Sequence, residues 1–290
     1  MNFCDDIRKI YLERDPKAIK NDFGKTLLLG GSTSYPNGIV ISSQFASLSG
    51  NGYTALGVPC TIYPIVASRS PLTQIFQPSM SSLDSLVYDD ETLESMMKNY
   101  SSILFGPGIK ESKENLSLLS KLLSHYEGNL VIDATGLVLL SQVDILKYRP
   151  RVLLTPHLGE ARRLFHSDIH SREALDYVED AKRFIEKHSC HILLKSSSSV
   201  LVSNDKSVYQ DENILTPALA KAGSGDGLAG YLAGLLSYAD KLISYEEVIL
   251  FANHMIHKAA SLAQDLLSPG IASILDCKDQ IINIINENKK

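Results

Sequence analysis

The stretch best suited to chemistry is a glycine-rich segment late in the chain. Residues 222–227 read Ala-Gly-Ser-Gly-Asp-Gly, and a helical pattern follows at once. Glycine lets the backbone turn sharply and leaves its N–H groups accessible. The N-terminus of the helix that follows carries a partial positive charge and unpaired donors. This combination predicts a site for a phosphate-like anion.

Asp226 is the only acid in that segment, and two roles are open to it. It either caps the helix, which is worth ~1 kcal/mol, or serves as a general base beside the bound anion. The local sequence alone favours the cap. Gly225–Gly230 also matches GxGxxG, but the dinucleotide fingerprint requires a strand directly before it. The preceding residues contain Pro217 and no β-branched run next to the glycines, so we exclude a Rossmann site.

The elements that must position this segment are short apolar runs, most of them ending in loops rich in glycine, serine or threonine. Because the runs are continuously apolar rather than alternating, they predict strands of a parallel sheet covered on both faces. Ligands bind such sheets at the carboxyl ends of the strands. The predicted strands are Thr26–Gly31, Cys60–Ala67, Ser102–Gly108, Asn129–Ala134, Arg151–Pro156 and His191–Lys195.

Helical patterns separate and follow these runs. Ser199–Gln210 reads as two short strands around a turn, which predicts an antiparallel hairpin at the edge of the sheet. The strand–helix order predicts an α/β three-layer sandwich, formed by 1–290 as a single domain with 1–23 as a helical extension. The predicted helices are 39–50, 172–188, 225–238, 245–267 and 271–285.

Composition narrows the function classes. The chain has 290 residues, a net charge of -5 and no concentrated basic stretch, so we expect no nucleic-acid partner. No apolar run is long enough to cross a bilayer, and the first residues have no apolar signal core. The four cysteines are widely spaced, which predicts reduced thiols in a cytoplasmic protein.

Two motifs resemble a known family. "GSGDGLAGYLAGLL" resembles the anion-hole motif of the ribokinase-like superfamily. "LLTPHLGEARRLF", at 153–165, closely resembles the "LTPHPGE" segment of the ADP- or ATP-dependent NAD(P)H-hydrate dehydratases. Residues 24–59 resemble the first strand–loop–helix unit of that family. "ILFGPGI", "VIDATGL" and "LLKSSSSVLV" follow in the family's order, so the resemblance covers nearly all of the chain from Gly24 onward.

The resemblance implies a ribokinase-like fold and a repair lyase. Such an enzyme dehydrates hydrated NADH or NADPH, NAD(P)HX, back to NAD(P)H and consumes ADP or ATP as co-substrate. Phosphate is transferred to the hydroxyl, which makes it a good leaving group, and is then eliminated. The transfer needs preorganised donors and a cation, so Mg²⁺ is the implied cofactor. The family also implies a homo-oligomer, a tetramer in many members.

The same resemblance assigns the site residues. Asp226 corresponds to the catalytic base and contacts the substrate. The remaining implied substrate contacts are Gly38, Gly108 and His157. The implied nucleotide contacts are Lys195, Ser196, Ser197, Ser198 and Ser199, together with Gly223, Ser224 and Gly225 of the anion hole, and no set of metal-ligating side chains is implied. Local chemistry offers other roles, since His157 suits a helix start, Lys195 a solvated strand end and the serines a flexible turn.

The chain departs from the family pattern mainly on the nucleotide side. Ser196 replaces a glycine, Thr135-Gly136 replaces an Asp-Ala pair, Gly227 replaces a larger apolar residue, and "NILTP" at 213–217 replaces a glycine-rich turn. Two alternatives therefore stay open beside the lyase. One is a kinase of a small hydroxyl compound, in which Asp226 deprotonates the attacking hydroxyl. The other is a nucleotide-binding paralogue without turnover.

Overall fold

The computed structural model describes residues 2–71, 73–76, 84–143, 145, 147–148, 151–210 and 214–289. Its strands are β1 Lys25–Leu29, β2 Tyr53–Gly57, β3 Gln74–Phe76, β4 Ser102–Phe105, β5 Asn129–Ile132, β6 Arg151–Leu154, β7 His191–Leu194, β8 Val200–Val202 and β9 Val208–Gln210. Its α-helices are α1 Phe3–Ile7, α2 Pro36–Leu48, α3 Tyr63–Arg69, α4 Asp90–Asn99, α5 Lys113–His125, α6 Thr135–Leu140, α7 Leu158–Leu164, α8 Val178–His188, α9 Ser224–Leu236, α10 Tyr245–Leu267 and α11 Cys277–Glu287. Among these, no helix combines the length and apolarity needed to cross a membrane.

The strands form one sheet in the order β3-β2-β1-β4-β5-β6-β7-β8-β9. Every pair from β3 to β7 is parallel, and Leu28 in β1 aligns with Leu56 on one side and Leu104 on the other. The pairs β7–β8 and β8–β9 are antiparallel. The predicted parallel sheet with an antiparallel edge hairpin is confirmed.

Helices cover both faces of the sheet, because alternate residues of each strand point to opposite faces. Leu28, Leu104 and Val131 pack with side chains of α2, α9 and α10. Their neighbours Leu29 and Ile103 belong to the other layer, with side chains of α4 to α8. The continuous apolar runs therefore reflect burial on both faces, and the predicted three-layer sandwich is confirmed.

One predicted strand is wrong. Cys60–Ala67 is not a strand, since Cys60–Ile62 forms a 3₁₀ turn and α3 begins at Tyr63. Pro64 stands in the first turn of α3, where its fixed φ and missing N–H are tolerated. Ile65 is 45% exposed, so this apolar run does not correspond to a strand buried on both faces of the sheet. The strand that pairs with the outer side of β1 is instead β2.

Helix boundaries also differ from the expectation in places. The last helix begins at Cys277 rather than Ile271, because Asp276 accepts bonds from both the N–H and the hydroxyl of Ser273 in a turn. The helix expected over 172–188 is a 3₁₀ turn at Ala174–Tyr177 followed by α8. The first 23 residues contain α1, a π-helical turn at Arg8–Leu12 and a 3₁₀ turn at Lys20–Phe23.

The contact between α2 and α9 is unusually close because it uses glycine. A β-carbon at Gly230 would lie 2.6 Å from Ser42 Cα and would overlap the Ser42 carbonyl oxygen. The Ser42 hydroxyl donates a 2.9 Å hydrogen bond to the main-chain oxygen of Asp226. This contact fixes the start of α9 against the start of α2.

Gly230→Ala tests this contact. The added methyl group favours helix by up to ~1 kcal/mol, but the overlap with Ser42 has to be relieved by moving one helix. We expect the free energy of unfolding to fall by about 1–3 kcal/mol, measured by urea denaturation. Gly270→Ala is the control, because a β-carbon there meets nothing within 4 Å. Equal stability of the two variants would contradict the close contact.

Candidate active site

The carboxyl ends of the parallel strands meet the N-terminus of α9 at one edge of the sheet. Asp133 directly follows β5, Thr155 follows β6 and Lys195 follows β7. His157 and Lys195 form an isolated parallel bridge, in which the Lys195 N–H donates to the Pro156 oxygen at 2.9 Å. The topology thus gathers charged side chains that are far apart in the sequence.

Asp226 lies in the first turn of α9 but does not cap it. The N-cap residue is Gly223, with φ +93°, and it makes no side-chain capping bond. The cap favoured by the local sequence is therefore wrong. A β-carbon on Gly38 would lie 3.2 Å from Asp226 Oδ2, so glycine at 38 lets the start of α2 approach this carboxylate.

A buried ion pair lies beside Asp226. Lys195 Nζ donates to Asp133 Oδ1 at 2.7 Å, and the side chains are 17% and 2% exposed. Thr155 Oγ1 donates to the same carboxylate oxygen at 2.9 Å. A β-carbon on Gly225 would lie 3.3 Å from Lys195 Nζ and 3.7 Å from Asp133 Oδ2. The pair therefore faces Gly225 at the start of α9, and Lys195 is not a solvated strand end.

The surroundings of Asp226 raise the pKa of its carboxyl group. Burial, with the negative charges of Asp133 and Glu160, raises the pKa of Asp226 to about 6, while Lys195 opposes the rise. Burial by itself lowers the pKa of Lys195, but Asp133, Glu160 and Asp226 outweigh it and the net shift is upward. Lys195 therefore stays charged, and Asp226 titrates near the range of a general base.

His157 starts α7. Its Nδ1 accepts bonds from the N–H groups of Gly159 at 3.0 Å and Glu160 at 3.3 Å. Glu160 Oε2 in turn accepts a 2.9 Å bond from the His157 N–H, completing a capping box. The imidazole is exposed and lines the cavity described next. The helix-start role is thus real, and it leaves Nε2 3.6 Å from Glu160 Oε1.

A cavity of about 650 Å³ opens at this edge, next to the N-terminus of α9. Its lining combines apolar side chains from the loop before α9, from α9 and from α10 with charged and hydroxyl groups. The described lining residues are His157, Lys195, Ser196, Ser197, Ser199, Leu215, Thr216, Pro217, Leu219, Ala220, Lys221, Ala222, Ser224, Gly225, Leu228, Asn253, Ile256 and His257.

Two residues assigned to the nucleotide by resemblance lie outside that lining. The Ser198 hydroxyl accepts a 2.8 Å bond from Gln210 Nε2 of β9, which ties the serine loop to the edge hairpin. Gly223 lies against Ile41 and Ile274, and its left-handed φ makes the turn into α9. Ser224 does line the cavity, and its hydroxyl is buried without a hydrogen-bond partner among the described residues.

Gly38 lies in the first turn of α2, and Gly108 lies in the loop after β4. Gly108 has φ +66°, and a β-carbon there would lie 2.5 Å from the Tyr35 oxygen. Tyr35 is the residue before α2, three positions ahead of Gly38. Gly38 and Asp226, both assigned to the substrate by the resemblance, thus lie against each other in the first turns of α2 and α9. The other two, Gly108 and His157, lie in the loops after β4 and β6.

The departures from the family pattern have local structural accounts. Ser196 does not have a positive φ, so a serine fits here without the backbone strain that would require glycine. The described non-glycine residues with positive φ are Ala134, His166, Ser189, Lys206 and Ser268. At Gly227, a β-carbon would lie 2.5 Å from Ile274 Cγ1, so Ile274 fills the space of a larger residue. Gly136 is equally confined, because a β-carbon there would lie 2.7 Å from the main-chain oxygen of Phe105. Of "NILTP", Asn213 lies outside the described residues, and Leu215 to Pro217 line the cavity.

Sequence reasoning missed two acids of the site, Asp133 and Glu160. Each had a detectable sign, since Asp133 directly follows a predicted strand and Glu160 belongs to the "TPHLGE" segment. It also missed the wall formed by Leu228, Asn253 and Ile256. Those positions look like ordinary helix interior until α9 and α10 are brought together.

Lys195→Met tests the ion pair. It leaves the Asp133 carboxylate buried without its counter-charge, so we expect the free energy of unfolding at pH 7 to fall by about 3–5 kcal/mol. Adding Asp133→Asn should restore part of that loss, because the two sites are coupled. The exposed Lys182–Glu179 pair, at 2.8 Å, provides the control Lys182→Met, expected within about 1 kcal/mol of wild type. Simple additivity of the two site substitutions in urea denaturation would contradict the coupling.

Comparison with known proteins shows which family this sequence is similar to. A sequence model of the family described as NAD(P)H-hydrate dehydratase matches residues 26–274. A bifunctional NAD(P)H-hydrate repair enzyme of Thermosynechococcus vestitus is 32% identical over 80% of this chain and 44% of its own length. An ADP-dependent (S)-NAD(P)H-hydrate dehydratase of Nitrosopumilus maritimus is 28% identical over 95% of this chain and 96% of its own. The chain spans about half the length of the bifunctional relatives.

The fold is shared with solved structures. The ADP/ATP-dependent NAD(P)H-hydrate dehydratase of Bacillus subtilis, co-crystallised with ATP/Mg²⁺, has a TM-score of 0.79 at 22% identity, covering 98% of this chain and 97% of that one. An Arabidopsis thaliana ribokinase also matches, with a TM-score of 0.56. The ribokinase-like fold is therefore confirmed. With a family match over residues 26–274, the chain belongs to the NAD(P)H-hydrate dehydratase family.

Proposed function

We propose that the chain is an ADP-dependent (S)-NAD(P)H-hydrate dehydratase, a lyase that returns NAD(P)HX to NAD(P)H at the expense of ADP or ATP. One observation carries the proposal: the Asp226 carboxylate, with a pKa raised to about 6, lies against Gly38, and the residue before it in α9, Gly225, lines the cavity. A single acid can thus face a hydroxyl substrate while a nucleotide occupies the cavity. Family membership supports the choice of this hydroxyl.

Asp226 acts in the first of two steps. It takes the proton of the substrate hydroxyl as that oxygen bonds to the terminal phosphorus of the nucleotide, whose bond to the bridging oxygen breaks. The nucleotide leaves with one phosphate fewer. The ring carbon–oxygen bond then breaks, inorganic phosphate departs and a ring proton is lost, which restores the double bond of NAD(P)H. Phosphate is a far better leaving group than hydroxide, and this difference explains the need for a nucleotide.

The nucleotide is proposed to lie in the cavity of about 650 Å³, a volume within the usual range for such ligands. The start of α9 supplies N–H donors and Ser224 supplies a hydroxyl to its phosphates. Lys195 adds a positive charge at the same place, and Ser196, Ser197 and Ser199 border it. Leu219, Leu228 and Ile256 form an apolar wall suited to a base.

Mg²⁺ is compatible with this site. Within the described part of the chain, no cluster of three or more metal-ligating side chains is preassembled. Mg²⁺ usually keeps several waters and binds through one or two carboxylates plus substrate phosphates. A β-carbon on Gly225 would lie 3.7 Å from Asp133 Oδ2, so this carboxylate lies beside the residues proposed to hold the phosphates. Asp133 would hold a Mg²⁺ that accompanies the nucleotide, and the ion would reduce the charge of the phosphates.

We also propose a homotetramer that acts in the cytoplasm. Support for the compartment comes from the cysteines, since Cys4, Cys60, Cys190 and Cys277 are all free thiols. Support for assembly comes from large apolar side chains on the surface, such as Leu266 and Ile271, each 71% exposed. Light scattering after size-exclusion chromatography measures the assembly directly, and a monomeric mass would contradict it.

Asp226→Asn tests the catalytic base. The variant keeps the shape of the side chain but cannot accept the proton, so we expect dehydration of hydrated NADH in the presence of ADP to fall by about 10²–10⁴-fold. Recovery of NADH absorbance gives the rate. Nucleotide binding should persist, because the anion site consists of backbone N–H groups and Lys195, and thermal stabilisation by ADP measures it.

The same experiment separates the alternatives. A phosphorylated hydroxyl compound formed without NADH recovery would replace the lyase by a kinase. Stabilisation by nucleotide with no turnover in the wild-type protein would favour the paralogue without activity. Full activity of Asp226→Asn would remove this residue from the chemistry.

The pH dependence gives a second test. If Asp226 must be deprotonated to act, kcat/KM rises with pH through its acid limb, which we expect near pH 6 from the raised pKa. Glu160→Gln removes a negative charge that raises this pKa, and so it should move the limb to lower pH. Glutamine can still accept the bond from the His157 N–H and preserve the cap of α7. Glu287→Gln, at the end of α11, is the control, and an equal shift in both variants would contradict the assignment.

A further inference from the structure

Tyr35 is an exposed aromatic residue beside the site that no step above uses. It is 69% exposed. Among the described residues, its only hydrogen bond is made by its main-chain N–H, and no ring contact includes it. Covering the apolar face of such a ring removes apolar surface from water, which is favourable. Single exposed residues are common, however, so exposure alone decides nothing.

The backbone under Tyr35 is held firmly, in contrast to its free ring. The Tyr35 N–H donates to the Ser32 oxygen at 3.1 Å, and the Gly31 N–H donates to the Pro107 oxygen at 2.8 Å. Asp84 accepts from both the N–H and the hydroxyl of Thr33, at 2.8 and 2.9 Å. The loop thus fixes the position of the tyrosine while leaving its ring accessible, an arrangement that lowers the entropy lost when a ring stacks on a ligand.

The position of the ring relative to Asp226 points to its partner. Tyr35 precedes α2, and Gly38, one turn later, lies against the Asp226 carboxylate. On its other side, a β-carbon at Gly108 would lie 3.2 Å from Tyr35 Cβ. The cavity proposed for the nucleotide is not lined by Tyr35. Tyr35 therefore stands next to the two glycines, Gly38 and Gly108, that the family resemblance assigns to the substrate.

We propose that the Tyr35 ring stacks on the nicotinamide-derived ring of the coenzyme and positions it over Asp226. This inference rests on the proposed function, and it makes Tyr35 a substrate-binding residue. The conjugated carboxamide and the adjoining ring double bond stay flat in the hydrated coenzyme, and the whole ring is nearly flat in the NADH product. Stacking of a flat ring on tyrosine is favourable beyond the burial of area alone.

The test measures binding of NADH, the product, without requiring turnover. The chain contains no tryptophan, so NADH fluorescence reports binding without emission from an indole. We expect Tyr35→Ala to weaken NADH binding by about tenfold and Tyr35→Phe to stay within about twofold of wild type. Ile282→Ala on α11, where the side chain is 46% exposed, is the control and should leave binding unchanged. An unchanged melting temperature of Tyr35→Ala would show that its loss of binding is not unfolding.

A second ligand identifies which ring is stacked. Reduced nicotinamide mononucleotide lacks the adenosine half of NADH, so it should lose the same factor in Tyr35→Ala if the nicotinamide ring is the partner. A loss confined to NADH would move the contact to adenine and overturn the proposal. Unchanged binding of both ligands, or a change only in oligomeric mass, would overturn it as well.

Turnover distinguishes the two proposals. For an active wild-type enzyme, Tyr35→Ala should raise KM for the hydrated coenzyme by about tenfold. Tyr35→Phe should keep KM close to the wild-type value. NADH binding that depends on Tyr35 in a protein without turnover would sink the proposed lyase and leave the stacking contact. Turnover with unaltered KM and unaltered NADH binding in Tyr35→Ala would support the lyase and overturn the stacking contact.

Discussion

The close approach of α2 and α9 is the constraint on which the site depends. Gly230 lets the main chains of the two helices touch at Ser42, and the Ser42 hydroxyl ties α2 to the first turn of α9. These contacts set the distance between Gly38 and Asp226, and hence the room for a substrate. A helix pair separated by ordinary side chains, about 8–10 Å between axes, would not bring the two main chains together at Ser42. The packing of α2 on α9 thus fixes the geometry of the candidate site.

The charges of the site follow from the order of the strands. Asp133 and Lys195 end strands β5 and β7, with β6 between them, and Thr155 from β6 bonds to the shared carboxylate. A pair this buried contributes little net stability, because desolvating both charges opposes their attraction. Its value is positional, since it holds an ammonium group beside the glycines of α9. The remaining acids, Asp226 and Glu160, keep the site short of positive charge, which suits a ligand that arrives with a cation.

The layers of the fold were predictable because burial on both faces of a parallel strand leaves a continuous apolar run. The edge hairpin was predictable from its turn. Cys60–Ala67 failed because its apolar residues lie in a helix with one exposed side, and Pro64 was the contrary sign. At the candidate site, the glycines and strand ends that the sequence singles out come together at one edge of the sheet. The Asp133–Lys195 pair could not be predicted, because it depends on two strands, 62 positions apart at that contact, lying one strand apart in the sheet. The role of Asp226 as a cap was a wrong local prediction, since Gly223 already makes the turn.

The carboxylate at the start of α9 also links two equilibria that are usually measured separately. A phosphate bound beside Asp226 adds negative charge and favours its protonated form, whereas a cation bound there favours ionisation. By the reciprocity of linked equilibria, the number of protons taken up or released on binding then depends on whether the anion arrives alone or with its metal. The heat of binding would accordingly vary with the ionisation enthalpy of the buffer, and the sign of that variation would report which species enters the site.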